Sequence, residues 1–382
     1  MISESRFDSV ASRLLLPALI GWMLATPTDA AVTVMTQNMY VGFDVGQYVA
    51  DVSANPGNVV TLTTTAYAQV LASDIAARAD AIALEVHQKR PALIGLQEVS
   101  LFRSAPFDGP GAPHATTVEI DFLPTMLNAL SARGLNYAAV ATVQNVDAEF
   151  PRLIGFDANG PILQDIRVTD HDVILARTDL PLSEFQVSNP QSGNFAVFGS
   201  ALGVNFLRGW TSVDVEAGGA DFRFFNTHLD PVSAAQVLQA AELLAGPTNS
   251  SLPTILVGDF NSPADGSGSS TYASLIGAGF TDAWSVIHPG DPGYTCCQDA
   301  NLLNNPSELS QRIDLILYRN GPLALEADIV GEALDDRTPS GLWPADHAGV
   351  VATLRVPEPS SALFAIVAAL GLMIFVPRLN RP

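Results

Sequence analysis

Apolar runs that each stop at an amide, carboxylate or imidazole recur along this chain. They limit it to folds in which many strand ends meet in one place. Strand-like runs stand at residues 31–37, 92–97, 137–144, 172–177, 210–216, 222–226, 254–257, 313–318 and 349–355. Between them lie stretches with apolar residues at helical spacing: 66–89, which ends before Pro91, then 120–133, 233–245 and 272–278. Strands alternating with helices predict an α/β domain. No repeat of the length that builds a solenoid or propeller is present. Residues rich in Gly, Pro, Asn and Asp at 42–65, 103–118, 145–170, 188–203, 262–271 and 288–310 read as loops.

Composition narrows the class. Apolar residues make up 48% of the 382 and charged residues only 15%, which supplies a sizeable core and excludes a disordered chain or a coiled coil. Eighteen basic against 39 acidic residues leave a formal charge of −21, and Lys89 is the single lysine. A protein that grips a long polyanion through its backbone charge is normally basic, so the balance speaks against that mode of binding.

Six polar segments carry the chemistry. Five follow strands: Thr36-Gln37-Asn38, Leu96-Gln97-Glu98, Asn226-Thr227-His228, Gly258-Asp259-Phe260-Asn261 and Ala345-Asp346-His347. The sixth, Arg312-Ile313-Asp314, begins one. Ligands of α/β proteins gather where strand ends meet. Convergence would bring together carboxylates, two histidines and amides, a mixture suited to phosphate-ester hydrolysis. Carboxylate and amide oxygens are the ligands of Mg²⁺, Mn²⁺ or Ca²⁺. A carboxylate can activate water for in-line attack. His228, His347 and Asn261 can donate to the charge that develops on the phosphoryl oxygens.

The ordered set Asn38, Gln97-Glu98, Asn226-Thr227-His228-Leu229, Gly258-Asp259-Phe260-Asn261, Arg312-Ile313-Asp314 and Asp346-His347 resembles the endonuclease/exonuclease/phosphatase superfamily, the DNase I-like fold. The likeness spans nearly all of residues 32–355. It implies a four-layer sandwich of two facing mixed β-sheets flanked by helices. It implies that Asn38 and Glu98 hold the metal, with Asp346 as a further ligand. Asp259 would position or deprotonate the water, Asn261 would orient the phosphate, and His228 would contact a phosphoryl oxygen. Asp314 would orient a histidine or join a second metal position. Asp346 and His347 would stabilise the transition state or exchange protons. Two positions depart from nuclease relatives: Tyr40 stands where several DNA-repair members carry an acid, and Ser100 where DNase I-type nucleases carry arginine.

The ends read differently from the domain. Arg6 and Arg13 precede the apolar residues 14–25 and the small-residue sequence Ala-Thr-Pro-Thr-Asp-Ala, the order of a secretory signal peptide cleaved after Ala30. At the other end, Val356-Pro357-Glu358-Pro359 leads into uncharged residues 360–376, of a length to form a membrane helix, and then Arg378 and Arg381. That three-part order resembles the PEP-CTERM sorting signal of Gram-negative bacteria. It implies export, transient anchoring in the inner membrane, removal of the tail by an exosortase-type enzyme, and a final place at the cell surface or outside. With both ends removed, residues 31–356 keep the charge of −21.

The reading is therefore an exported, metal-dependent phosphodiesterase acting on a small or lipid-linked phosphoester. Residues 42–65, 103–118 and 188–203 would form its substrate mouth. The alternatives are an extracellular nuclease on DNA or RNA, and a non-catalytic surface or matrix-binding protein on the same fold. Retention of Asp259, Asn261 and His347 argues against the last. Adjacent Cys296 and Cys297 are either an oxidised pair or two free thiols. Arg103, Arg152, Arg167, Arg208 and Arg312 lie near motifs or loops and are possible phosphate contacts. His87, His114, His171 and His288 read as surface or loop residues.

Overall fold

A computed structural model describes residues 30–109 and 111–358. The expected signal peptide, apart from Ala30, lies outside the described residues, as do the expected sorting segment from Pro359 onward and its helix 360–376. Among the described residues no helix is long and apolar enough to cross a membrane.

Two β-sheets form the middle of the molecule. In the larger, the strands run in the order Leu323–Val330, Gly349–Val356, Ala30–Asn38, Leu93–Gln97, Gly160–Arg177, Leu101–Pro106 and Thr117–Asp121, with Tyr137–Asp157 also paired to Gly160–Arg177. The smaller has the order Thr281–Asp282, Asp314–Arg319, Thr254–Asp259, Ala220–His228, Gly209–Ala217 and Phe185–Asn194. Both are mixed: Ala30–Asn38 runs parallel to Leu93–Gln97, and Ala220–His228 parallel to Thr254–Asp259, among antiparallel neighbours.

Side-chain alternation builds the four layers. Val34, Phe224, Val257 and Ile316 meet in the core between the sheets. Their neighbours Met35, Phe225, Leu256 and Leu315 point the other way. Met35 packs under the helices Ile75–Lys89 and Phe122–Ala132, through Ile82, Val86 and Met126. Phe225, Leu256 and Leu315 pack under Ser233–Ala245 and Thr271–Gly277, through Leu243 and Leu275. A strand buried on both faces needs apolar residues at successive positions, which is why these runs read as continuous rather than alternating. The sheets approach closely at Gly95, where an added Cβ would lie 2.6 Å from Val257 Cγ2. Asn226 bridges them there. Its Oδ1 accepts from Gln97 Nε2 at 2.6 Å, and its Nδ2 donates to the Leu96 carbonyl at 3.0 Å.

Several expected loops are ordered elements. Residues 145–170 belong to a long hairpin, Tyr137–Asp157 with Gly160–Arg177. Its length was hidden because its far half is polar and partly exposed and carries no continuous apolar run. The stretch 42–65 contains the helix Val45–Ala54 and the start of Val59–Ala72. The helix expected over 66–89 is two, Val59–Ala72 and Ile75–Lys89. Asp74 breaks it with φ 44° and caps the second helix by accepting the Ala77 amide at 3.2 Å.

Helix Ile75–Lys89 also buries a carboxyl that no hydrogen bond among the described residues satisfies. Glu85 is 4% exposed, and neither of its oxygens has a hydrogen-bond partner. Burial, then the charges of Asp336 and Glu332, push it well above the ordinary glutamate range. The folded chain thus keeps a proton that the unfolded chain releases. Stability falls as pH rises through that window, by about 1.4 kcal/mol per unit. Glu85→Gln is expected to remove this slope and raise the melting temperature at about pH 8. Parallel melting curves for the two proteins across pH would show the opposite.

Candidate active site

Register lines up the first row of the site. His228 pairs with Asp259 and Asp259 with Asp314 across three neighbouring strands. In the facing sheet Asn38 pairs with Gln97. Alternation turns His228 to the same side as Phe224, Asp259 to that of Val257, and Asp314 to that of Ile316. The inner face of the sandwich therefore changes from apolar to polar at one end, and the polar end is the site. Asp314 reaches it from the start of its strand because that strand runs antiparallel to Thr254–Asp259.

Asp259 is the hub. Its Oδ1 accepts the Asn261 amide at 2.8 Å. Its Oδ2 accepts from Asn38 Nδ2 at 3.1 Å, and lies 3.4 Å from His228 Nε2 and 3.9 Å from His347 Nδ1. Burial, then Asp314, push the Asp259 carboxyl up to about 7 against the pull of His347. Asn38 also donates to Glu98 Oε1 at 3.2 Å, and Glu98 Oε2 accepts the Val41 amide at 2.7 Å. Tyr40, Glu98 and Asn261 have φ of 59°, 57° and 50°, a region that non-glycine residues enter at a cost. Three such residues around one carboxylate mark a backbone shaped by function. Gly258 precedes the hub with φ 150°, where a Cβ would collide with the Thr227 carbonyl.

The two histidines are in opposite charge states. His228 is buried between two donors, Arg208 Nη1 at 3.0 Å from its Nδ1 and Asn261 Nδ2 at 3.2 Å from its Nε2; the guanidinium can only donate, which makes Nδ1 the acceptor and leaves the Nε2 proton beside the Asn261 amide. Burial, then Arg208 and His347, hold His228 well below the ordinary histidine range, which keeps it neutral. His347 Nδ1 donates to Asp314 Oδ2 at 2.8 Å. Burial alone would lower its pKa. Asp314, Asp346 and Asp259 outweigh burial and hold it well above the usual range, so it is an imidazolium. Environments that push two titratable groups apart are the usual basis of acid–base division in a site.

Asp346 stands beside His347, with its Oδ1 buried and unpartnered. Burial and Glu98 push it up to about 7, although His347 opposes them. An oxygen-seeking cation bound by Asp346 and Glu98 would satisfy that orphan atom and offset the like charges, a donor chemistry that fits Mg²⁺, Mn²⁺ or Ca²⁺. Asn38 turns its Nδ2 to Glu98 while its Oδ1 accepts the Tyr40 amide at 2.9 Å, so that oxygen would reach the ion only through its second lone pair. Asp259, Asp314 and His347 also offer ligand atoms within 4.8 Å of one another, but the His347–Asp314 hydrogen bond already occupies Nδ1.

Of the residues singled out from the sequence, Asn38, Glu98, His228, Asp259, Asn261, Asp314 and His347 meet at one end of the sandwich through the contacts above, and Asp346 adjoins them as the neighbour of His347. Sequence reasoning missed four more. Asp170 and Asp172 face the interior beside His228, and Asp172 Oδ1 lies 3.9 Å from His228 Nδ1. Burial, then Glu98, push Asp170 up to about 7, and burial, then Asp170, push Asp172 well above its usual range. The signal was legible: both share a strand face with Ile174 and Ala176 of the inner core. Ser100, the departure from nuclease relatives, donates to Asp170 Oδ1 at 3.3 Å. Fully buried Arg78 donates to the carbonyls of Met39, Tyr40, Ser73 and Pro344, which fixes the turn that presents Val41 to Glu98. Among the five candidate arginines, only Arg208 reaches the site. Arg152 stacks on Tyr67, Arg167 pairs with Asp147 and Arg312 with Asp282, while Arg103 bonds Thr169. Cys296 and Cys297 are joined as a disulfide, with Cys297 Sγ 4.0 Å from His347 Nε2.

A cavity of about 140 Å³ opens beside this cluster. Its wall is apolar: Val41, Phe43, Tyr67, Phe102, Phe150 and Phe206 are among the lining residues. Its charged lining residues are Glu98, Asp170 and Arg208, the members nearest the site. Part of the expected mouth is here, from residues 42–65 and Leu202, but residues 103–118 take no part and the long hairpin supplies the far wall.

This arrangement of a two-sheet sandwich with acid, amide and imidazole groups at one end defines a phosphoesterase fold. The sequence profile of the Endonuclease/Exonuclease/phosphatase family matches residues 35–347, and the chain belongs to that family. Solved structures agree on the fold. A family protein from Bacteroides thetaiotaomicron is 18% identical with a TM-score of 0.53, covering 86% of this chain and 98% of its own. One from Bacteroides vulgatus is 16% identical with a TM-score of 0.51, covering 85% and 99%. One from Beutenbergia cavernae is 19% identical with a TM-score of 0.50, covering 87% and 73%. Among curated proteins none matches the chain.

Proposed function

We propose that the protein is a divalent-metal-dependent phosphodiesterase whose substrate is a small or lipid-linked phosphoester with an apolar group. The observation that carries the substrate class is the apolar cavity that begins at Glu98 and Arg208. A charged or heavily hydrated chain gains nothing from such a wall, whereas burying alkyl or aryl surface stabilises the bound state. The charge of −21 supports the same choice over a long polyanion.

In this reading Asn38, Glu98 and Asp346 hold the cation, which when bound polarises the phosphoryl group and eases departure of the leaving oxygen. Asp259, at the meeting point of Asn38, His228 and Asn261, accepts the proton of the attacking water. Asn261 Nδ2 and the Nε2–H of His228 orient a phosphoryl oxygen, and Arg208 adds a fixed positive charge at the cavity mouth. His347, held charged by Asp314, stabilises the negative charge of the transition state and gives its proton to the leaving oxygen. The N-terminal leader and the PEP-CTERM-like tail support export, with an exosortase-type enzyme as processing partner and the cell surface or medium as destination.

A panel of bis-p-nitrophenyl phosphate, sphingomyelin, a phosphoinositide and plasmid DNA, each with Mg²⁺, tests the reading. Turnover of the non-nucleic diesters is expected, lost on adding EDTA and restored by excess Mg²⁺. Activity indifferent to EDTA, or no turnover of any member, would refute it. Degradation of plasmid alone would replace it with the nuclease reading.

A further inference from the structure

The long hairpin carries a second group of ligand-type side chains, on its other face. Ala148 and Phe150, and across from them Ile166 and Val168, line the apolar cavity. Alternation sends Glu149 and Asp165 to the opposite side. Asp108 and His114, which fall between Leu101–Pro106 and Thr117–Asp121, approach that side. His114 Nε2 lies 3.7 Å from Asp108 Oδ1 and 3.8 Å from Asp165 Oδ2, and the three ligand atoms lie within 4.8 Å of one another.

We propose that Asp108, His114 and Asp165 bind a first-row divalent transition-metal ion, Zn²⁺ by its ligand chemistry, which ties Asp108 and His114 to the back of the hairpin. Three observations lead there. First, Asp165 is 4% exposed, and the Oδ2 that faces His114 has no hydrogen-bond partner. A buried carboxylate oxygen left without a partner costs stability, and a cation removes the cost. Second, the other ring nitrogen is already braced: His114 Nδ1 lies 2.9 Å from Glu149 Oε1. Glu149 is fixed in turn, since its oxygens accept the His114 and Ala115 amides at 2.9 and 2.7 Å. A histidine that presents one nitrogen to acids and the other to an anchored carboxylate has the carboxylate–histidine–metal arrangement. Third, the spacing is close to what a tetrahedral ion needs. Ligands at zinc distances stand about 3.4 Å apart, so the two histidine–carboxylate gaps of 3.7 and 3.8 Å close with shifts of a few tenths of an ångström, and the two carboxylates already stand within 4.8 Å. A competing contact, His114 Nε2 to the Pro106 carbonyl, is long at 3.4 Å. Imidazole selects Zn²⁺ and its neighbours over Mg²⁺ and Ca²⁺.

This site is independent of the catalytic reading, since neither Asp165 nor His114 belongs to the proposed machinery. The full chain, stripped of metal, is titrated with Zn²⁺ alone and the ion retained after gel filtration is counted. Wild type is expected to retain one equivalent more than Asp165→Asn or His114→Gln. Its melting temperature should rise with Zn²⁺ while theirs does not. Co²⁺ in place of Zn²⁺ should give a visible absorption band that both variants lack. Both variants should hydrolyse bis-p-nitrophenyl phosphate at the wild-type rate in excess Mg²⁺. His114 is on a partly exposed segment, so its variant carries the comparison even if Asp165→Asn is poorly folded. Equal retention of Zn²⁺ by wild type and His114→Gln, or an unchanged Co²⁺ band, would overturn the assignment and leave a cluster of ion pairs.

Discussion

Asp259→Asn is expected to lower kcat by about a hundredfold to ten-thousandfold, the range supplied by a positioned general base, and to leave the fold intact. The asparagine keeps the volume and one of the two accepted hydrogen bonds, from Asn38 or from the Asn261 amide, but it accepts no proton. Stability should hold or rise, because the wild-type carboxylate is buried beside Asp314 and disfavoured as an anion. The pH profile gives an independent check. A base held up to about 7 makes the rate climb as pH rises through that region, and a bound cation moves the limb to lower pH. His347 must stay protonated, so the rate falls again at high pH. In Asp259→Asn the acid limb should lose the contribution of this group, keeping only that of Asp346, while the alkaline limb remains. Wild-type turnover in this variant, with circular dichroism confirming its fold, would remove Asp259 from the chemistry.

The second large effect concerns the cavity. In a series of alkyl p-nitrophenyl phosphodiesters, kcat/KM is expected to rise about fourfold per methylene, since each buried CH₂ contributes roughly 0.8 kcal/mol. The rise should level off near the size of a benzene ring, because a cavity of about 140 Å³ is comparable to one known to take that molecule. Ala148 is 6% exposed and lines this space, so Ala148→Phe should flatten the series while leaving the methyl ester almost unaffected. A flat series in the wild type would show that the apolar wall has no part in substrate binding.

How much was legible in advance differs by element. The strands that end in site residues were visible because burial on both faces demands an unbroken apolar run, and Thr254–Asp259 is buried at every position. The far half of the long hairpin was not, since no apolar run or tight periodicity marks it. Likewise Asp74 ends one helix and caps the next through a left-handed backbone that no glycine announces. Asp170 and Asp172 were passed over because they precede an apolar run instead of ending one.

Residue types, their order and their strand-end positions are properties of local chain pattern, and these determined the α/β class and eight of the site side chains, but not Asp170, Asp172 or Arg78. Only the tertiary structure decided what those side chains are as chemical species. His228 is neutral because Arg208, twenty positions away, approaches it at 3.0 Å in a buried setting. His347 is held charged against the effect of burial because Asp314, thirty-three positions away, accepts a hydrogen bond from its Nδ1 at 2.8 Å. Protonation state and cavity shape depend on burial and on partners distant in sequence, and both exist only once the two sheets have closed on each other.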